Sequence, residues 1–308
     1  MENTAKRFTT YSSDEYIACA KGGHGACPGC GLALTLRLFT KAMGSDMIMV
    51  IPPGCTPVTI MSPQFNAAFT VFVSLFGSTA VFASGLKTAL DIRGEDKTHV
   101  VGWGGDGATF DIGLQVLSGA AERNDDIIYA CCDNEAYQNT GNQRSSATPG
   151  WGITSTNPMP SPKKERKKDI MSIVASHYVP YAATATVAYP DDLMRKIEKA
   201  KAIKGFRFLH LLAPCPTGWL FPSEKTIEIS RLAVETKIFP LFELENGIHY
   251  VINKEPAGLP VTEYFGAQKR YGHLTTLQTT EIQKEVDEKW HWLKWLTGYR
   301  SHCRQEAL

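Results

Sequence analysis

From residue 45 onward, short apolar runs alternate with segments whose apolar positions recur at helical spacing. Runs at 47–51, 99–103, 127–132, 182–188 and 206–212 read as strands, and 76–92, 112–123, 170–177 and 190–203 as helices. The strands are apolar throughout rather than alternating, so both faces are buried. Strands of that kind interleaved with helices predict an α/β fold, a mostly parallel sheet with helices on both faces. The apolar stretch 65–90 is broken by Ser74, Gly77, Ser78, Thr79, Ser84 and Gly85 and reads as a buried helix, not a membrane span of ~18 residues. Segment 133–168 is rich in Asn, Thr, Ser, Gly and Pro and reads as one loop. A loop of that length is uncommon unless it is functional. Beyond Cys215 the pattern weakens: 224–236 reads as a helix, 242–252 as strand-like and 283–299 as a terminal helix with aromatics among charges. Two units follow: an α/β domain over 1–240 that includes the cysteine-bearing N-terminal segment, and a C-terminal extension over 241–308 packing on the core or on a partner.

Composition narrows the function. The 308 residues are 43% hydrophobic, enough for a large core. Thirty-two basic against 31 acidic side chains leave a net charge of +1, without the basic excess of a nucleic-acid binder. The one dense run, Lys163-Lys164-Glu165-Arg166-Lys167-Lys168, reads as a solvated loop. Residues 1–16 are polar and lack the apolar core of a signal peptide. Eight cysteines are too few for a disulfide scaffold in a chain this long and read as thiols in a reducing compartment. The expected location is the cytoplasm, with no membrane or nucleic acid as partner.

Gly105-Asp106-Gly107 closes the second strand, and Asn134 ends the next, with 26 residues between. If helix 112–123 joins neighbouring parallel strands, Asp106 and Asn134 emerge side by side, where ligands bind in such sheets. A carboxylate, an amide oxygen and a carbonyl near Ala136 form the hard-oxygen set that Mg²⁺ takes, leaving positions for phosphate and water. Flanking glycines let the backbone approach a diphosphate, and the next helix aims its N-terminus at it. The plainer alternative is a turn and an unrelated cap. The pattern resembles the thiamine diphosphate fingerprint, Gly-Asp-Gly to Asn, and lacks the glycine pattern of a dinucleotide fold.

Cys27-Pro28-Gly29-Cys30, Cys55 after Pro-Pro-Gly, and Cys215 between two prolines all lie in Gly/Pro-rich turns, where backbone N–H groups can point at sulfur. Four thiolates suit a structural zinc or a [4Fe–4S] cluster, and spacing does not separate the two. A redox pair at the Cys-x-x-Cys is a third reading, disfavoured because the motif does not read as strand-to-helix. Cys131 and Cys132 read as core residues, while Cys19 and Cys303 near the termini are poor ligand candidates. His24 is either a ligand or a polar turn residue.

The blocks GGHGACPGCG at 22–31, Gly54-Cys55, GDGATFDIG at 105–113, DNEAYQNTGNQRSSATP at 133–149 and PCPTGW at 214–219 resemble the β subunit of 2-oxoacid:ferredoxin oxidoreductases. They cover about two-thirds of the chain in the family's order, and the PCPTGW ending looks more like the pyruvate branch than the shorter 2-oxoglutarate branch. The resemblance implies thiamine diphosphate held by its diphosphate end, with Gly105, Asp106 and Gly107 at the turn. It implies Mg²⁺ on Asp106, Asn134 and the Ala136 carbonyl, and a [4Fe–4S] cluster on Cys27, Cys30, Cys55 and Cys215. Asn139 matches an asparagine near the substrate carbonyl, and the loop around Thr140 and Gln143 should cover the cofactor. The implied reaction is oxidative decarboxylation of a small 2-oxoacid, pyruvate first, with coenzyme A as co-substrate and electrons passed through the cluster to ferredoxin. Partner subunits of the α, γ and δ type would supply the glutamate that activates thiamine and the rest of the electron relay. Phe76-Gly77-Ser78 stands where many relatives read Phe-Glu-Asn, which keeps open an unusual substrate such as oxalate, needing no coenzyme A. The remaining alternatives are a non-oxidative thiamine decarboxylase or synthase with a structural zinc, and a zinc-stabilised interaction subunit without cofactor.

Overall fold

The chain is represented by a computed structural model that describes residues 20–21, 23–62 and 65–305. The polar segment 1–16, Cys19 and Gly22 lie outside the described residues, as does the side chain of Cys303. In chain order the first elements are β1 (Ala20–Lys21), α1 (Gly31–Met43), β2 (Met47–Ile51), α2 (Cys55–Ile60), β3 (Asn66–Ala67), β4 (Thr70–Val73) and α3 (Thr79–Ile92). The central unit is β5 (His99–Gly105), α4 (Leu114–Glu122) and β6 (Ile128–Asp133). Then come α5 (Ile170–Ala175), β7 (Tyr181–Thr186), α6 (Pro190–Ala202), β8 (Arg207–Leu212) and α7 (Pro216–Trp219). The chain continues through α8 (Thr226–Glu235), the hairpin β9 (Phe242–Glu245) and β10 (His249–Ile252), α9 (Val261–Gly266) and α10 (Thr276–Gln305).

Eight strands form one sheet in the order β10-β9-β7-β8-β6-β5-β2-β4. Six neighbours, β7 to β4, run parallel, and the β9–β10 hairpin adds antiparallel to β7. Successive residues of the central strands feed two cores. Val101, Trp103, Ala130 and Cys132 pack under α1 and α6, and Val100, Tyr129 and Cys131 under α3, α4, α5 and Trp290 and Leu293 of α10. Cys131 and Cys132 are fully buried core residues, one on each face. No helix among the described residues is long and apolar enough to cross a membrane.

Three local expectations change. The stretch 65–90 is not helical throughout. Thr70-Val71-Phe72-Val73, β-branched and aromatic, pair in parallel with β2 as an edge strand, and α3 begins only at Thr79. Helix α1 follows directly on the Gly/Pro/Cys-rich run, and its buried Leu32, Leu36, Phe39 and Met43 carry the helical spacing. Cys-x-x-Cys therefore does lead into a helix. The basic run 163–168 is only partly solvated: Lys163 is buried, while Lys167 and Lys168 turn inward onto carboxylates.

β8, β6, β5 and β2 are consecutive in the sheet, so their C-terminal ends form one row. Cys215, Asn134, Asp106 and Cys55 each lie within a few residues of one of those ends.

Candidate active site

β5 and β6 pair in parallel with Gly105 opposite Cys132, so Asp106 and Asn134 leave adjacent strand ends, as the spacing required. After Asp106 the chain makes a π-helical turn, Gly107–Asp111, before α4 begins at Leu114. Single π-helical turns are frequent at functional sites. A cavity of about 280 Å³ opens there, and its walls include Gly54, Cys55, Gly105, Asp106, Asn134 and Ala136. A Cβ added at Gly105, or at Gly54 with its φ of 150°, would meet no atom within 4 Å, so both glycines leave open space on the cavity wall. At Gly107 the space is taken, because a Cβ would stand 2.3 Å from the Tyr137 ring.

Asp106 is 1% exposed and accepts a hydrogen bond from Ser145 Oγ at 2.5 Å. Burial and then the charge of Asp133 push its carboxyl well above the ordinary value, against that hydrogen bond. One terminal atom of the Asn134 amide lies 2.8 Å from the Ala136 carbonyl oxygen and 3.0 Å from Asp106 Oδ1. With nitrogen in that place the amide donates to both. With oxygen there, it stands from two further acceptors at spacings near the ~3 Å that separates neighbouring ligands on an octahedral Mg²⁺ with bonds of ~2.1 Å. The donor set therefore fits a hard cation, and the raised carboxyl is the one a cation would bring back down.

The loop 133–168 is held by polar contacts within it and to its neighbours. Asp133, fully buried, receives His210 Nε2 at 2.8 Å and Lys167 Nζ at 2.5 Å. Burial works against its charge, but Lys167 and His210 outweigh it and hold the carboxyl at about 2. Tyr137 donates to Asp111 Oδ2 at 2.8 Å, and its ring lies 6.1 Å from that of Phe76, which also lines the cavity. Asn139 and Thr140 are exposed and line the cavity. Gln143 does not line it; its amide Nε2 donates to the Thr140 carbonyl at 2.8 Å within the loop. Asp106 is the only acid among the residues lining this cavity.

Backbone contacts gather the cysteines. A Cβ at Gly31 would stand 2.6 Å from Pro214 O, and one at Gly25 2.5 Å from Val58 O, so the 25–31 turn lies against both the Cys215 segment and α2. Gly31 N–H donates to Pro214 O at 3.1 Å, and Thr226 Oγ1 donates to Gly29 O at 2.5 Å. Three of the four sulfurs sit at helix starts. Cys30 precedes α1, Cys55 opens α2, and Cys215 precedes α7 and accepts from Gly218 N–H at 3.4 Å. Free N–H groups there suit thiolate sulfur. Without a metal the thiolate form is disfavoured at Cys55 and Cys215. Burial and then Cys215, Cys30 and Cys27 push Cys55 up to about 12, and burial pushes Cys215 to about 11. Cys27, Cys30 and His24 line a second cavity of about 650 Å³. His24 Nδ1 accepts from Ala26 N–H at 3.3 Å, a local turn contact. Among the described residues no three His, Cys, Asp or Glu side chains close on one point as ligands of a single ion do.

Ser145, Tyr137, Lys167 and Trp219 belong to this site and were not singled out in the sequence. Ser145 and Trp219 lay inside the family-like blocks, but nothing local marked their contacts with Asp106 and the Asn134 carbonyl.

A family model, the thiamine pyrophosphate enzyme C-terminal TPP binding domain, matches residues 54–211. The ketoisovalerate oxidoreductase subunit VorB of Pyrococcus furiosus is 46% identical over 95% of this chain and 96% of its own length. The pyruvate synthase subunit PorB of Methanocaldococcus jannaschii is also 46% identical, over 91% of this chain and 96% of its own. A solved 2-oxoglutarate:ferredoxin oxidoreductase from Magnetococcus marinus, with 2-oxoglutarate, coenzyme A and succinyl-CoA bound, superposes with a TM-score of 0.54 at 23% identity. The match covers 62% of this chain and 64% of that one, and it establishes the shared fold. The chain thus belongs to the thiamine pyrophosphate enzymes and, within them, to the PorB and VorB β subunits of the 2-oxoacid:ferredoxin oxidoreductases.

Proposed function

We propose that this chain binds Mg²⁺ and the diphosphate of thiamine diphosphate at Asp106, Asn134 and the Ala136 carbonyl, and a [4Fe–4S] cluster at Cys27, Cys30, Cys55 and Cys215. Bound there, thiamine diphosphate supplies the carbon nucleophile and electron sink for oxidative decarboxylation of a small 2-oxoacid, and the cluster supplies a one-electron acceptor. The observation that carries this reading is Cys55. It lines the same cavity as Asp106, and its thiol feels the charges of the other three cysteines and of Asp106. A reduced cofactor and its acceptor would then be immediate neighbours.

The chain's own residues have definite tasks. Asp106 would neutralise part of the cation's charge, and the Asn134 amide oxygen and Ala136 carbonyl would be its neutral donors. Gly54 and Gly105 keep the wall open for the diphosphate. Asn139 and Thr140 line the same cavity and would meet the substrate there, and the Phe76 and Tyr137 rings line it beside them. Partner subunits of the same complex supply the glutamate that activates thiamine and the onward path to ferredoxin, and the assembly works in the cytoplasm. Pyruvate, with coenzyme A as acyl acceptor, is the leading substrate. The equal identity to a ketoisovalerate oxidoreductase subunit favours a branched-chain 2-oxoacid as the second.

The test is anaerobic purification with the neighbouring subunits, followed by titration with pyruvate, 2-ketoisovalerate and oxalate under EPR and visible spectroscopy. Cluster reduction by pyruvate that requires coenzyme A is the expected result. Reduction by 2-ketoisovalerate alone reassigns the substrate, and reduction by oxalate without coenzyme A moves the enzyme to that chemistry. Zinc in place of iron would sink the cluster assignment.

A further inference from the structure

Glu135 stands between two of the three oxygen donors, and its backbone is left-handed, with φ 66°. That conformation is unfavourable for a residue with a Cβ and persists only where the surroundings impose it. Glycine would adopt it freely, yet a glutamate is present and is 3% exposed. Every polar group of this residue is held. Its N–H donates to Asp133 Oδ1 at 2.9 Å, and its carbonyl accepts from Thr148 Oγ1 at 2.6 Å. Lys167 Nζ reaches Oε1 at 2.9 Å, and Arg270 Nη2 reaches Oε2 at 2.6 Å.

Arg270 is itself fixed. It is 3% exposed, its Nε donates to Gln268 Oε1 at 2.9 Å, and its Cζ lies 4.0 Å from the centre of the Trp219 ring. Trp219 Nε1 in turn donates to the Asn134 carbonyl at 2.8 Å. The carbonyls of Asn134 and Glu135 are therefore both pinned by remote side chains, which leaves the Asn134 amide and the Ala136 carbonyl to face Asp106.

We propose that Glu135 and Arg270 are positioning residues for the divalent cation: their ion pair locks the left-handed turn that presents Asn134 and Ala136 to it. The inference rests on the Mg²⁺ reading above and goes beyond it by assigning a task to two residues that touch neither cation nor cofactor. It also gives the C-terminal part of the chain a role in the site, because Arg270 follows the β9–β10 hairpin.

The readout is the Mg²⁺ concentration at which the assembled complex retains half its thiamine diphosphate in equilibrium dialysis. Glu135→Gly accepts the backbone conformation without strain but removes the lock. Glu135→Gln keeps the size and removes the charge, and Glu135→Gln with Arg270→Met removes the pair without leaving a buried unpaired ion. Each should raise the half-saturating Mg²⁺ by about tenfold or more, the size seen when residues behind metal ligands are lost. Bound thiamine diphosphate should return at high Mg²⁺, and iron content should stay that of the parent. The double variant should cost no more than the single ones if the two act as one unit. Half-saturation within about twofold of the parent in whichever of these variants fold overturns the lock. Asp106→Asn serves as the reference. If it abolishes Mg²⁺-dependent retention while the lock variants behave like the parent, the lock alone fails. If retention still depends on Mg²⁺ in Asp106→Asn, the cation assignment beneath it fails as well.

Discussion

Gly31→Ala tests how the cysteine centre is held together. Gly31 opens α1 immediately after Cys30, and a Cβ there would lie 2.6 Å from Pro214 O and 2.8 Å from both Pro214 N and Ala213 C. All three atoms are backbone, so no side-chain rotation relieves the contact. α1 must move away from the segment that follows β8, breaking the 3.1 Å hydrogen bond from Gly31 N–H to Pro214 O. Losing that bond costs about 1 kcal/mol, and the overpacking adds about 1–3 kcal/mol. The sum, about 2–4 kcal/mol, is a large part of the 5–15 kcal/mol that typically separates folded from unfolded states. Because Cys30 and Cys215 flank the contact, the same displacement pulls two of the four thiols apart. Denaturant unfolding and iron per chain, measured together on anaerobically purified complex, should both fall. Gly119→Ala is the control: it lies inside α4, and the nearest atom to its Cβ is Arg123 Nη1 at 3.1 Å, the end of a flexible side chain. That change should preserve iron and add up to about 1 kcal/mol of stability. If Gly31→Ala keeps the stability and iron of the parent, the Gly31–Pro214 approach does not set the geometry of the centre.

Other changes separate the parts of the site. Cys215→Ser should lose or damage the cluster while thiamine diphosphate remains bound, and an unchanged iron content would remove Cys215 from the ligands. Asp106→Ala should abolish thiamine diphosphate binding with the cluster intact, and chelation of Mg²⁺ from the parent should have the same effect; normal thiamine content in the variant would refute the assignment. Away from the site, Glu243 of β9 is 2% exposed and accepts from Arg195 at 2.6 Å and Lys199 at 2.5 Å. Burial opposes its charge, yet these two cations hold its carboxyl at about 2, below its ordinary 4.5. A depressed carboxylate contributes stability above its unfolded pKa and loses it as pH falls through the folded one. Parent should therefore exceed Glu243→Gln at neutral pH by about 2 kcal/mol, the ~3.4 kcal/mol of the full shift reduced for solvent screening at the half-exposed Arg195 and Lys199, with the gap closing between pH 4.5 and 2 in chemical denaturation. A gap independent of pH would show that packing, not charge, accounts for the difference.

Much of the site was legible because it follows from strand order and local turns. Gly105-Asp106-Gly107 and Asn134 end two consecutive apolar strands joined by one helix, and a right-handed crossover of that length makes such strands neighbours. Their meeting at one sheet edge is close to a consequence of the sequence. Likewise Cys27, Cys30, Cys55 and Cys215 sit in Gly/Pro turns that can be read one by one, and the parallel sheet follows from unbroken apolar runs. The edge strand 70–73 was hidden because four apolar residues beside a helical pattern carry no periodicity of their own, and only pairing with β2 makes them a strand.

What the tertiary structure alone decided lies in pairings between residues far apart. The run 163–168 has the composition of a solvated loop, and only folding shows that Lys163 is buried and that Lys167 reaches Asp133 and Glu135. Glu135 and Arg270 meet across 135 residues of sequence, and Trp219 joins the Asn134 carbonyl across 85. Periodicity and turn chemistry report the preferences of neighbouring residues, so they determined the sheet and the edge at which Asp106, Asn134 and the cysteine turns gather. Which buried ions meet around that edge depends on where remote segments land, and the packed chain alone fixes that.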